Sequence, residues 1–313
     1  MNEFLEIEYP YYRLYYDFNK KKILSEIKNF KPIVYTKIPD ELKKNNIQKY
    51  ETTYFIIKDV FTQTHNINSI TDYFSEKVRI TCQLGNNISP KKYWQINKKH
   101  ILNNTLEKYN EITIPKIRRI IYKGAEFCNN FRITVALTIL KFFKPKKWLD
   151  ISAGWGDRLL SAIFFNKIKL YTATDPNLDM HPCYDEMINT LVPISKRKNF
   201  VIHKNGFLEA NIDGLYDIVF SSPPFFTLEK YSDHKEDSIT QFSNEKDWIN
   251  NFLVKVLLKS YKHLKKNGYM ILYWGGSDSV MNKIFQTLSN MKYNGVIYFY
   301  ESRPRGIHVW QKL

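Results

Sequence analysis

The chain has 313 residues, 43% of them hydrophobic and 25% charged, and a formal net charge of +16 at pH 7. This composition excludes a disordered or collagen-like chain, and the length suffices for one large domain or two. The charge excess points to a polyanionic partner, nucleic acid ahead of an acidic membrane surface. A coding bias is the competing source of that charge, since only nine of the 47 basic residues are Arg.

Three cysteines, Cys82, Cys128 and Cys183, lie far apart with no Cys-x-x-Cys pair. They imply a reducing, intracellular compartment (cytoplasmic or nuclear, not secreted) without a zinc site or disulfide frame. The first residues lack a basic-then-apolar signal pattern, and no run of about 18 apolar residues occurs, so no membrane span is expected. The seven His residues show no metal-ligand spacing, and no metal is expected.

In chain order, residues 9–18 are crowded with Tyr, and residues 50–58 are rich in strand formers. Residues 66–83 fit a helix with Ser69 and Asp72 in capping-box spacing. Ser89 and Pro90 suit the cap and first turn of another helix running to about residue 109. The best boundary falls near residues 111–130, giving an accessory or substrate-recognition region over 1–115 and a second unit over 116–313. Residues 132–143 read as a helix ending before Pro145. Five strand candidates follow, at 147–151, 169–174, 199–203, 216–220 and 269–274, with helices at 157–165, 182–191 and 247–264. Such alternation means a parallel sheet covered on both faces. Residues 295–300 and 306–311, flanking Arg303-Pro304-Arg305-Gly306, predict an antiparallel hairpin at the sheet edge.

Two segments carry chemistry. The first strand runs into Asp150, Ser152, Gly154 and Gly156, and a helix follows. Glycines there let the chain turn tightly and let a ligand lie against backbone; the plain alternative is an ordinary strand-to-helix turn. Asp175 stands 19 residues beyond Gly156, at the end of the second strand, where a carboxylate can accept both hydroxyls of a ribose. The pair implies a nucleoside ligand. The negative charge of Asp150 would repel a diphosphate and attract a sulfonium, which favours S-adenosylmethionine over a dinucleotide.

Residues 147–313 resemble a class I S-adenosylmethionine-dependent methyltransferase. The family pattern is an acidic residue followed by Gly-x-Gly-x-Gly; here Ser152 stands at the first glycine. The resemblance implies an α/β fold: a Rossmann-like, doubly wound, seven-stranded sheet with an antiparallel C-terminal hairpin, preceded by a mixed, mainly helical extension. It also implies that Gly154 and Gly156 approach the cofactor and that Asp175 holds its ribose. Asn205 and Phe207 would stand at the adenine, and Asn130 and Phe131 at the methionine end.

The second segment, Ser222-Pro223-Pro224-Phe225, follows the fourth strand and resembles the (Asp/Asn/Ser)-Pro-Pro-aromatic motif of amino-methyltransferases acting on N6 of adenine or N4 of cytosine. An exocyclic amine is a poor nucleophile because its lone pair is shared with the ring. The Ser222 hydroxyl and the Pro223 carbonyl could accept its two N–H groups, the prolines would hold that geometry, and Phe225 could stack on the base. The bland alternative is a Pro-Pro turn completing the core. Phe226 and Trp248 read as packing, Tyr231 as a residue flanking the pocket. Residues 227–247 suit a substrate lid and a solvated loop equally, and Lys141, Lys144, Lys146 and Lys147 suit solvated surface. The expected activity is methylation of a base amino group, DNA ahead of RNA. The alternatives are methylation of a protein glutamine and a polyanion-binding module without turnover.

Overall fold

The computed structural model describes residues 2–30, 33–35, 55–58, 65–224, 226, 229–231, 241–242, 244–274, 277–299 and 306–313. Phe225, residues 303–305, residues 50–54 and much of 227–247 lie outside the described residues.

After a short first helix come α1 (Lys20–Asn29), β1 (Ile33–Tyr35), β2 (Phe55–Lys58), α2 (Ile70–Arg79), β3 (Gln83–Leu84), α3 (Pro90–Tyr109), α4 (Ile114–Gly124) and α5 (Ile133–Phe143). The second half runs β4 (Lys147–Asp150), α6 (Asp157–Phe165), β5 (Leu170–Thr174), α7 (His181–Leu191), β6 (Phe200–His203), β7 (Tyr216–Ser221) and β8 (Glu229–Lys230). It ends with α8 (Val254–Lys262), β9 (Leu264–Trp274), α9 (Asp278–Thr287), β10 (Met291–Phe299) and β11 (Gly306–Lys312).

Nine strands form one sheet in the order β1-β2-β10-β11-β9-β7-β4-β5-β6. β4 is parallel to β5 and β7, and β5–β6 and β7–β9 are also parallel. β11 runs antiparallel to both β9 and β10. The chain builds outward from β4 to β6 and then returns to β7 on the other side of β4. The order therefore reverses at β4/β7, where the carboxyl ends of parallel strands leave a crevice. The seven strands from β10 to β6 match the expected doubly wound sheet with antiparallel C-terminal strands. Two expectations are corrected. The sheet has nine strands, and the C-terminal hairpin is not at its edge: β11 is inserted between β9 and β10, and β10 pairs with β2. A short apolar run such as residues 55–58 shows that it is a strand but not which edge it joins.

Alternation along the strands divides the core between the two faces. Trp148, Phe220 and Ile271 point to one face with residues of α2, α5, α6 and α7. Leu149, Val219, Met270 and Leu272 point to the other with Trp248, Val256, Leu257 and Ile284. Ile23, Ile27, Phe30, Ile70, Phe74 and Val78 join the first cluster, so segments before residue 115 share the core of the sheet. α3 and α4 add a third cluster around Trp94, Ile101, Leu102 and Ile117.

Several local expectations held. Ser89 accepts the Lys92 N–H at 3.4 Å with Pro90 in the first turn of α3, and α6 starts at Asp157. Others did not. Ser69 has helical dihedrals and no capping bond, because a short helix, His65–Asn68, already leads into it, and Asp72 turns to Arg79, 2.8 Å away. The single helix expected over 247–264 is a short helix (Glu245–Trp248), a π turn (Ile249–Leu253) and α8, and β9 already begins at Leu264. Cys82 and Cys128 form a disulfide with Cα atoms 6.2 Å apart at a sequence separation of 46. That corrects the expectation of no disulfide: wide sequence spacing and an odd cysteine count do not prevent two of the three from meeting in space.

Candidate active site

β4 delivers the chain into a turn whose two glycines have positive φ, +59° at Gly154 and +95° at Gly156. At Gly156 an added Cβ would strike the Met187 side chain at 2.6 Å, so this glycine admits the close approach of α7. At Gly154 the nearest atom to such a Cβ is Arg158 Nη2 at 3.8 Å, and the turn is open on that side.

Asp175 follows β5 and is buried against this turn. Its Oδ2 accepts the Gly154 N–H at 2.7 Å and lies 3.0 Å from the Tyr184 hydroxyl, which also reaches the Gly154 carbonyl. Its Oδ1 accepts the Asn177 N–H at 3.0 Å. Burial raises the Asp175 carboxyl above the ordinary range, while these N–H and O–H groups pull it down. Each carboxylate oxygen accepts about two hydrogen bonds, so Oδ2 is filled and Oδ1 keeps one acceptor position, room for one ribose hydroxyl rather than the two expected of it.

Asp150 plays a different part from the one its sequence position suggests. It is fully buried. Oδ1 takes the Ser221 hydroxyl at 2.7 Å and the Ser152 N–H at 3.3 Å; Oδ2 takes Arg158 Nε at 2.8 Å and the Tyr171 hydroxyl at 2.9 Å. With every acceptor position filled and a guanidinium beside it, Asp150 offers no open negative charge. The electrostatic preference for a sulfonium over a diphosphate therefore cannot rest on Asp150, which acts as an internal brace.

The two chemistry-bearing segments meet. The Ser152 hydroxyl donates to the Ser222 carbonyl at 2.8 Å and lies 3.0 Å from Ser221 Oγ. The glycine turn and the Ser-Pro-Pro corner thus share one rim at the β4/β7 switch point. Ser222 and Pro224 are half-buried and Pro223 is buried. Trp248 packs as expected, fully buried against Trp274 and Phe226. Tyr231 sits edge-on to Trp155 at 5.8 Å, above the glycine turn. β8, which precedes it, pairs with β3.

Asn130 and Phe131 also reach this region. The Asn130 amide donates to Asp72 Oδ1 at 2.9 Å, and its own Oδ1 is buried with no partner among the described residues. The Phe131 N–H reaches Asp157 Oδ2 at 3.3 Å, and its ring packs edge-on against Phe220 and Tyr273. Asn205 is exposed beyond β6. Phe207 is buried in the opposite-face core, with its carbonyl bound by Lys259 at 2.7 Å, so it packs rather than faces the crevice.

Sequence reasoning missed a second layer around the turn. Thr71 Oγ1 donates to Asp157 Oδ1 at 2.5 Å, and Ser75 Oγ lies 2.9 Å from the Trp155 carbonyl and 3.1 Å from the Thr71 carbonyl one turn back, the nearer of the two being Trp155. Burial pushes the Asp157 carboxyl up to about 7, with the neighbouring Asp72 adding to the rise while the Thr71 bond, Arg158 and Arg79 oppose it. Beyond it lies a buried cluster of Asp72, Glu76, Arg79, Arg118 and Tyr122. The available signal was the four-residue spacing of Thr71 and Ser75 beside Ile70, Phe74 and Val78.

No protein-family model matches the chain, and no curated protein matches it. Among solved structures it is similar to a ribosomal protein L11 methylase from Lactobacillus delbrueckii subsp. bulgaricus, at 17% identity over 58% of this chain and 77% of that one, with a TM-score of 0.39. It is also similar to the N-methyltransferase NodS from Bradyrhizobium japonicum WM9, at 9% identity over 57% and 93% with a TM-score of 0.40. A methyltransferase from Pyrococcus furiosus aligns at 18% identity over 69% and 98%, with a TM-score of 0.39. Likenesses of this size carry no argument about activity, for which the site itself has to answer.

Among the described residues no helix is long and apolar enough to cross a membrane, and no group of three or more His, Cys, Asp or Glu is arranged to hold a metal ion.

Proposed function

We propose that this chain is an S-adenosylmethionine-dependent methyltransferase acting on an exocyclic amino group of a nucleic-acid base, N6 of adenine or N4 of cytosine, with DNA ahead of RNA. The observation that carries the reading is the 2.8 Å hydrogen bond from Ser152 to the Ser222 carbonyl. It ties the turn suited to a nucleoside donor to the corner suited to a flat amine.

S-adenosylmethionine, when bound, supplies an electrophilic methyl group. The chain supplies the rest. Asp175 offers a carboxylate oxygen to the ribose, and Gly154 leaves its backbone approachable. Asn130 and Phe131, on the segment held by Asp72 and Asp157, are the residues assigned to the methionine end. At the corner, the Ser222 hydroxyl and the Pro223 carbonyl are the acceptors for the two amine protons. By accepting these hydrogen bonds they localise the nitrogen lone pair and favour the positive charge that grows as the methyl arrives, after which the methylated nitrogen releases one proton to solvent. The net charge of +16 suits a polyanionic substrate. A base in a duplex must leave its stack to reach such a corner, at a few kcal/mol.

The test is incubation with labelled S-adenosylmethionine and, separately, duplex DNA, single-stranded DNA, RNA and a protein pool, followed by nucleoside analysis. Label in N6-methyladenine or N4-methylcytosine is expected. Label confined to protein glutamine overturns the substrate class, and no label with any acceptor overturns the activity. Ser222→Ala and Phe225→Ala are expected to lower incorporation about 10²- to 10³-fold while leaving donor affinity unchanged.

A further inference from the structure

The strand-to-helix turn is gripped from outside its own βα unit. α2 lies across it, and two hydroxyls one helical turn apart point down on the same buried face. Thr71 reaches Asp157, 86 residues away in sequence, and Ser75 reaches the Trp155 carbonyl, 80 residues away. Thr71, Ser75 and Asp157 are all buried. The Trp155 carbonyl lies between the two positive-φ glycines, so the partner that holds it sets the orientation of the peptide joining them. The other Asp157 oxygen holds the Phe131 N–H. One carboxylate thus joins α2, the start of α6 and the segment carrying Asn130.

We infer that Thr71 and Ser75 are positioning residues of the donor site, fixing the glycine turn and the Asn130–Phe131 segment in the shape that receives S-adenosylmethionine. The inference rests on the methyltransferase reading above. A donor site held this way needs α2, and the segment before residue 115 is then part of the cofactor machinery. Without the hydroxyls, the Trp155 carbonyl and one Asp157 oxygen lose buried donors, and the turn relaxes toward water to recover them.

Valine and serine separate this role from plain packing. Thr71→Val keeps the shape and removes the hydroxyl; Thr71→Ser keeps the hydroxyl and removes a methyl. The readouts are the S-adenosylmethionine Kd by calorimetry, KM and kcat with the labelled-donor assay, and the thermal midpoint of each variant. Thr71→Val and Ser75→Ala are expected to raise donor Kd and KM about tenfold, the worth of one buried hydrogen bond, with kcat at saturating donor preserved. Thr71→Ser is expected to restore wild-type affinity. Wild-type binding with Thr71→Val unchanged, or Thr71→Ser as weak as Thr71→Val, overturns the inference and leaves the functional reading standing. Wild-type protein that takes up no S-adenosylmethionine overturns both.

Discussion

The glycine turn and the helix laid across it use the same materials, buried carboxylates, guanidinium groups and hydroxyls, but close them differently. In the turn, Asp150 is satisfied by Ser152 and Arg158 from its own βα unit and by Tyr171 and Ser221 from the flanking strands. In α2, Asp72 has Arg79 on its own helix, but Glu76 is bound by the Tyr12 N–H and by Arg118 and Tyr122 of α4, and Asp72 also holds Asn130. Asp150 finds two of its four partners in its own βα unit; Asp72 and Glu76 find one, Arg79, on their own helix and the rest in three other segments. A residue can therefore match a cofactor motif and still serve as bracing, while the groups that shape the site arrive from elsewhere.

Removing the cation from each system tests that contrast with the largest expected effect. Arg158→Met leaves Asp150 fully buried without its counter-charge and is expected to cost about 3–5 kcal/mol in urea unfolding. Arg79→Met leaves Asp72 with Arg118, 3.5 Å away, and with Asn130, so the loss is expected near the low end, about 3 kcal/mol or less. Equal losses would break the comparison, since they would mean that Arg118 gives Asp72 no effective second cation.

Loss of the disulfide ranks next in expected effect. Cys82 adjoins β3, which pairs with the β8 segment beside Tyr231, and Cys128 leads into Asn130 and Phe131. A cross-link over 46 residues is expected to contribute about 2–4 kcal/mol, mainly by restricting the unfolded chain. Cys82→Ser lowers stability by that amount if the bond forms in solution. A thermal midpoint equal to that of the parent, with three thiols titrating in unfolded parent protein rather than Cys183 alone, would show that it does not. Its outcome also sharpens the contrast, because the bond anchors the α2 side and leaves the glycine turn untouched.

Legibility followed the same division. The alternation of strands and helices from residue 147, the Ser89–Pro90 helix start and the glycine turn were readable because each is encoded within about ten residues. The corner was readable as Ser222-Pro223-Pro224 for the same reason. The roles of Asp150 and Phe207 were not, because burial depends on what packs from outside: Tyr171 and Ser221 for one, Lys259 for the other. The β2–β10 pairing, the Cys82–Cys128 bond and the Thr71–Asp157 contact join segments 46 or more residues apart. Hydrophobic period carries no record of such pairings.

The last test is read as a slope with pH rather than as a loss at one pH. Burial raises the Asp157 carboxyl to about 7 in the folded chain, against about 4 for an unfolded aspartate. Between those values the folded state holds a proton that the unfolded state has released. Stability from this group is therefore complete below about pH 4, falls as pH rises toward about 7, and levels off above it, with a slope of at most about 1.4 kcal/mol per pH unit. Glu76, in the other system, is also raised by burial, with Arg118 opposing, and contributes a slope of the same sign. Asp157→Asn keeps an acceptor for the Thr71 hydroxyl and removes the titration, so unfolding free energies measured from pH 4 to 8 are expected to flatten. If that variant keeps the parent slope and Glu76→Gln removes it, the pH-sensitive carboxylate belongs to the α2–α4 cluster and the start of α6 is already ionised.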